Sequence, residues 1–135
     1  MVRMKDQVCE VDLRPNDFDW AGMLNNAVYP QLLEIGRWQW ALANGVDLRD
    51  SRLVAVVVRL RLDYLRPVEW NPVARLAVRT AAGDRSPYSF TVDQSVEDAG
   101  GEVMARGEVK LALVDRLTKQ VRRADLDSLL TGAVR

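Results

Sequence analysis

Only one long stretch of this chain steps like a helix, and most of the chain beyond it steps like strands. From Asn26 onward, Tyr29, Leu33, Gly36, Trp40 and Ala43 recur at intervals of three and four, as do Val28, Leu32, Ile35 and Leu42. Together they make a broad apolar face, that of a helix largely enclosed by protein. Pro30 falls in the first turn, where its missing N–H does no harm. Asn44-Gly45 supplies a left-handed stop. The spacing predicts one helix from about Asn26 to Ala43.

Before it, "DQVCEVDLR" (6–14) reads as a strand ended by Pro15 and Asn16. After it the period changes to two. "LVAVVVRLRLDYL" (53–65) is rich in β-branched residues, and its second half sets Leu60, Leu62 and Tyr64 inward against Arg59, Arg61 and Asp63. "VARLAVRTAA" (73–82) alternates likewise beyond the breakers Pro67 and Pro72. "YSFTVDQSVED" runs into Ala99-Gly100-Gly101, a hairpin signal, and "EVMARGEVKLALVD" (102–115) returns from it. A short helix over Ala124–Leu130 is expected to close the chain. One enclosed helix followed by a meander implies an α+β fold, a curved antiparallel β-sheet wrapped around one long central helix. With no repeat, linker or low-complexity tract, 1–135 is expected to be a single domain. Such a sheet leaves strand edges open, so a second copy is expected to cover them.

Composition narrows the chemistry. Apolar residues are 48% and charged residues 28%, with 19 basic and 19 acidic side chains and no net charge. That balance lacks the basic stripe of a nucleic-acid binder. The N-terminal "MVRMKDQVCEVDLR" is too densely charged for a secretory leader, and the longest apolar run, Leu53 to Val58, is too short to cross a bilayer. A cytoplasmic protein without membrane insertion is expected. Cys9 is the single cysteine, so no intrachain disulfide can form, and on its strand it reads as a small core residue. There is no histidine at all. Imidazole acid/base chemistry, Ser-His and Cys-His nucleophiles and histidine zinc sites are therefore excluded. Carboxylates and backbone dipoles must carry any catalysis, with no metal and no cofactor.

The carboxylates stand out in "DFDWAGMLNNAVYPQLLEIGRWQW" (17–40). This stretch resembles the hotdog-fold acyl-CoA thioesterases of the 4-hydroxybenzoyl-CoA thioesterase family. Their pattern here is Asp-x-Asp-x-x-Gly, often His-Val-Asn-Asn, then Tyr, a Leu-Glu step and Arg-Trp in the helix. Asp17, Asp19, Gly22, Asn25, Asn26, Tyr29, Leu33, Glu34, Arg37 and Trp38 fit it. "YLRPV" (64–68) looks like the family's strand end, and "VKLALVDRLTKQVRRA" (109–124) resembles its last strand and the basic segment beyond. Two departures are visible. Met23 stands where a histidine is frequent, and the basic run that contacts coenzyme A phosphates in some members is reduced to "GDRSPYS" (83–89), with Arg85 its nearest remnant.

The resemblance implies hydrolysis of an acyl-CoA thioester to free acid and coenzyme A, in a homodimer or homotetramer. The chemistry needs an attacking oxygen and a donor for the charge that develops on the carbonyl oxygen. By resemblance the N–H of Asn26, at the helix start, is that donor, Gly22 lets the backbone approach the thioester, and Asp19 attacks or activates water. Asp17 is then structural, and Arg85 is the residue placed to meet a coenzyme A phosphate, although on the residues alone it reads as a solvated loop residue. On the residues alone, either aspartate serves equally well as a cap of a turn or of the helix. Trp38 and Trp40 read as core or interface, and Glu34 as a buried, paired carboxylate, with a catalytic role as the alternative because a helix glutamate is catalytic in some related thioesterases. A thioesterase acting on carrier-protein-bound acyl chains and a non-catalytic acyl-binding protein remain as alternatives. A dehydratase on the same fold is excluded by the missing histidine.

Overall fold

The protein is described from a computed structural model covering residues 4–46, 52–71 and 75–124. Strand β1 (Gln7–Asp12) precedes helix α1 (Tyr29–Ala43). Then come β2 (Leu53–Tyr64), β3 (Arg75–Ser86), β4 (Ser89–Glu97), β5 (Val103–Asp115) and a short β6 (Val121–Arg122). All pairings are antiparallel in the order β1-β3-β4-β5-β2, with β6 added on β5. One helix against a curved antiparallel sheet is the α+β architecture expected. The expected closing helix after Ala124 falls almost wholly outside the described residues.

The helix begins more tightly than its periodicity suggests. Asn26–Val28 form a 3₁₀ turn, and the regular α-helix runs only from Tyr29. The Asn25 side chain caps that turn by accepting from the Ala27 N–H at 3.0 Å. Pro30, without an N–H, removes an α-helical hydrogen bond to the Asn26 carbonyl. At the other end Asn44 closes the helix. Its Nδ2 donates to the Trp40 carbonyl (2.8 Å) and to the Lys5 carbonyl (3.0 Å), which ties the N-terminal segment to the helix end.

α1 lies over β1, β3 and β4. Tyr29, Leu32 and Leu33 pack with Leu24, Leu76, Val78 and Val96 near its start. Trp40 packs with Phe90, Val92, Val109 and Leu111 near its end. Between them the helix touches the sheet at Gly36, where any Cβ would run into Val78 Cγ1. A small residue is required there to let backbone meet sheet. Buried Gln94 on β4 locks the contact, its Nε2 donating to the Leu33 carbonyl and the Thr80 hydroxyl, both at 2.9 Å. Its Oε1 accepts from Arg37 Nη1 at 3.1 Å.

Several side chains differ from expectation for one reason, that the helix covers only part of the sheet. Leu60, Leu62 and Tyr64 do face the helix side, opposite Val109, Gly107 and Ala105. Yet β2 lies at the sheet's edge beyond the helix, and Val57, Leu60 and Tyr64 stay 43%, 38% and 48% exposed. Trp40 is core, whereas Trp38 points outward and is exposed. Glu34 is exposed rather than buried, because it projects from the helix face away from the sheet. Cys9 is only half-buried on the opposite edge strand. Finally, β3 does not stop at Ala82. After a bulge it continues to Ser86, so Arg85 sits on a strand opposite Phe90 rather than in a loop.

Candidate active site

Residues 13–28 form a compact loop that folds back on itself. Phe18 and Leu24 make an isolated antiparallel bridge, flanked by Asp19 N–H to the Met23 carbonyl (2.8 Å) and Asn25 N–H to the Asp17 carbonyl (2.9 Å). The segment after β2 runs alongside. Leu24 N–H donates to the Val68 carbonyl and Trp70 N–H to the Gly22 carbonyl, while the Trp70 ring meets Phe18 edge-on at 5.1 Å.

The two aspartates live differently in this loop. Asp17 is buried, its Oδ2 accepting from the Arg14 N–H at 2.8 Å and its Oδ1 from Arg14 Nη2 at 3.1 Å. Burial acts to raise its pKa, but the Arg14 hydrogen bonds and charge outweigh it and hold the carboxyl below the ordinary aspartate range. Asp19 is exposed. Its Oδ1 accepts from the N–H groups of Ala21 (2.9 Å) and Met23 (3.0 Å), closing an Asx-type turn. Its Oδ2 has no hydrogen-bond partner among the described residues. Gly22 has φ +82°, with open space where a Cβ would sit. Glycine is thus set there by the left-handed turn rather than by crowding.

Asn26 opens the 3₁₀ turn, so its N–H is one of the orphan donors at the positive end of the helix dipole. Among the described residues nothing accepts from it. The ladder brings Asp17 beside Asn25 and leaves Asp19 two positions further along, about 7 Å by strand geometry. The site therefore gathers Asp19, Gly22 and Asn26 in one loop, without direct contact between the Asp19 carboxylate and the Asn26 amide.

Arg85 lies elsewhere. With Ser86, Pro87, Arg123 and Ala124 it lines an open groove of about 400 Å³ beside the β3–β4 hairpin, where Ala124 N–H donates to the Pro87 carbonyl at 2.8 Å. Arg85 pairs with Phe90, which packs with Trp40 at the helix's far end. The 15 residues of α1 separate this groove from the Asp19 loop by about 22 Å within one chain.

Two residues missed by sequence reasoning join these places. Arg123 enters the groove from the basic segment after β5. Tyr64 donates its hydroxyl to the Asn26 carbonyl at 2.8 Å. A tyrosine ending an alternating strand gives no sign of which distant carbonyl it will reach, whereas the run Arg122-Arg123 was visible as basic. Among the described residues no group of three or more His, Cys, Asp or Glu is arranged to hold a metal ion. Nor is any helix among them long and apolar enough to cross a membrane.

Comparison with known proteins agrees with this architecture. The profile of the thioesterase-like superfamily matches residues 13–130. No curated protein matches the sequence. The PA2801 protein from Pseudomonas aeruginosa superposes with a TM-score of 0.80 at 24% identity, covering 95% of this chain and 97% of that one. Slr0204 of Synechocystis, a 1,4-dihydroxy-2-naphthoyl-CoA thioesterase, also gives 0.80, at 14% identity over 97% of this chain and 99% of its own. A Thermus thermophilus thioesterase solved with coenzyme A and zinc gives 0.76, at 24% identity over 95% of this chain and 96% of its own. With its helix-on-sheet hotdog architecture and nearly the whole chain matching one profile, the protein belongs to the thioesterase-like superfamily and is an enzyme of the thioester-hydrolase class.

Proposed function

We propose that the protein hydrolyses an acyl-CoA thioester to the free acid and coenzyme A. Asp19 acts as nucleophile or general base, and the Asn26 N–H receives the charge that develops on the carbonyl oxygen. Two groups in the same short loop carry this reading. One is a helix-start N–H without an acceptor among the described residues, and the other an exposed carboxylate with one oxygen unbonded among them. Water deprotonated by Asp19, or the Asp19 carboxylate itself, attacks the carbonyl carbon and converts C=O to an oxyanion. Its collapse breaks the C–S bond and releases coenzyme A as the thiolate, which takes up a proton. Where Asp19 is the nucleophile, water then cleaves the acyl–aspartyl anhydride to the free acid. One preorganised donor of this kind is worth roughly 3–4 kcal/mol of barrier. Gly22 supports the turn that presents Asp19.

A second copy completes the site in this scheme. β2 is an open, apolar edge whose Tyr64 end lies beside Ala105 and whose Leu53 end lies beside Asp115. Antiparallel pairing of β2 with β2 of another copy about a two-fold axis sets the Tyr64 end of one protomer against the Leu53 end of the other. Through β5 and β6 that second end carries the groove of Arg85 and Arg123, two guanidiniums suited to the phosphates of coenzyme A. This pair of cations favours coenzyme A over a carrier protein as the bearer of the acyl group. Cys9, the single cysteine, fits a reducing cytoplasm.

Release of free thiol from a panel of aromatic, branched and medium-chain acyl-CoAs tests this, without added metal. Turnover of at least one of them is expected, together with a stable dimer or tetramer in light scattering. Binding without thiol release from any member of the panel would instead identify an acyl-binding protein.

A further inference from the structure

The turn that presents the Asn26 N–H has little packing to hold it. Asn25, Asn26 and Ala27 are exposed, and only Val28 of the 3₁₀ turn is buried. Val28 N–H donates to the Asn25 carbonyl at 2.9 Å, which secures the peptide unit that carries the Asn26 N–H. The Asn26 carbonyl would, in an α-helix, accept from the N–H four residues on. That residue is Pro30, which has none. The 3₁₀ turn sets the Tyr29 N–H, three residues on, toward this carbonyl, and from outside the helix the Tyr64 hydroxyl donates to it at 2.8 Å. The Tyr64 ring is itself oriented by Tyr29, which is 2% exposed and meets it edge-on with centroids 5.0 Å apart.

We propose that Tyr64 is a positioning residue for thioester hydrolysis, holding the oxyanion donor in place through the Asn26 carbonyl. Peptide units are planar, so the Asn26 N–H points where the 25–26 unit points, and the neighbouring 26–27 unit constrains that unit through the Asn26 dihedrals. Val28 holds the first at the Asn25 carbonyl, and the second is held at its Ala27 N–H by Asn25 Oδ1 and at its carbonyl by the Tyr64 hydroxyl. Both are set before substrate arrives, which is what preorganisation of an oxyanion donor requires. Tyr64 sits on the edge strand rather than on the helix, so its hydroxyl ties the Asn26 carbonyl directly to β2. Its role in turnover rests on the acyl-CoA chemistry proposed above; the ordering of the turn does not.

Tyr64→Phe keeps the ring and its contact with Tyr29 and removes only the hydroxyl. For an acyl-CoA hydrolysed by the wild type, kcat is expected to fall about tenfold, the worth of one hydrogen bond, with KM changed by less than about twofold. Adding Pro30→Ala returns an N–H four residues beyond Asn26, and the double variant is expected to regain about threefold of the lost kcat. A kcat unchanged in Tyr64→Phe, a rise in KM with kcat intact, or a double variant no faster than the single one overturns the proposal. So does a loss of rate accompanied by a matching loss of melting temperature, which marks a packing role. Amide ¹⁵N relaxation tests the same contact without turnover. Order at Asn26 and Ala27 is expected to drop in Tyr64→Phe and not elsewhere, and unchanged order there overturns the inference even if no acyl-CoA is hydrolysed. Failure of the wild type on every thioester, with the expected drop in order present, removes the substrate assignment and leaves the positioning of the turn standing.

Discussion

The sheet has a covered half and an open half. Under α1, β3 and β4 alternate cleanly, with Val78, Thr80, Val92 and Val96 fully buried and Gln94 bonded into the helix backbone. Beyond the helix, β2 sets Val57, Leu60 and Tyr64 on the same inward face, yet all three remain exposed. The pattern is alike and the outcome differs because a single helix is narrower than a five-strand path of sheet. The covered half supplies stability. The open half, with the 17–28 loop packed beside its Tyr64 end, carries the proposed chemistry and the proposed surface for a second copy.

The largest expected effect tests whether the loop is functional rather than structural. Asp19→Asn preserves size and most of the Asx-type turn but removes the proposed nucleophile or base, so kcat should fall by about 10²–10⁴. Its thermal unfolding should stay close to wild type. Near wild-type turnover would move the catalytic assignment to Asp17 or Glu34.

On the covered side the balance reverses. Leu33 is fully buried between the helix and the sheet. Leu33→Ala should lower stability by about 2–5 kcal/mol in denaturant titration. Any activity lost should follow the unfolded fraction. A variant that is stable but inactive would break the division between the two halves.

Leu60→Lys places a charge on the exposed inward face of β2, where a single chain has room for it. Folding of the protomer should survive, while self-association weakens at least about tenfold. Light scattering across a concentration series reads the shift toward monomer. An assembly unchanged by the lysine would direct attention to β1, the other edge.

The smallest effect separates the two aspartates. Asp17→Asn should cost about 1 kcal/mol, as for a lost cap, with turnover scarcely changed. The folded pKa of Asp17 lies below its unfolded value, so its contribution is complete above that unfolded value. It is lost as pH falls through the folded pKa. Melting curves of wild type and Asp17→Asn should therefore differ at neutral pH, begin to converge as pH falls below about 4, and coincide only below the folded pKa.

Much of this was legible in the chain because its signals are local. A period of three to four between Tyr29 and Ala43, the stop at Asn44-Gly45 and the alternation of the later strands come from backbone geometry alone. The loop carrying Asp19, Gly22 and Asn26 was equally visible as a motif. What was not legible depends on where elements come to rest. The alternation of "RLRLDY" states which side chains share a face, but not that the helix stops short of covering them. "GDRSPYS" looks like a loop through its turn formers, yet pairing with β4 extends β3 to Ser86.

By itself the sequence determined the helix and its stop at Asn44-Gly45, the order of the main strands along the chain, and the absence of any imidazole chemistry. It also determined the proline that denies Asn26 its α-helical donor. These depend on residue identity and on neighbours within a few positions. The tertiary structure decided which half of the sheet is covered and that Arg85 and Arg123 share a groove at the far end of the helix. It alone brought Tyr64, 38 residues later in the chain, to the Asn26 carbonyl. Contacts across such separations depend on how whole elements pack, and no local pattern encodes the direction in which a side chain will find its partner.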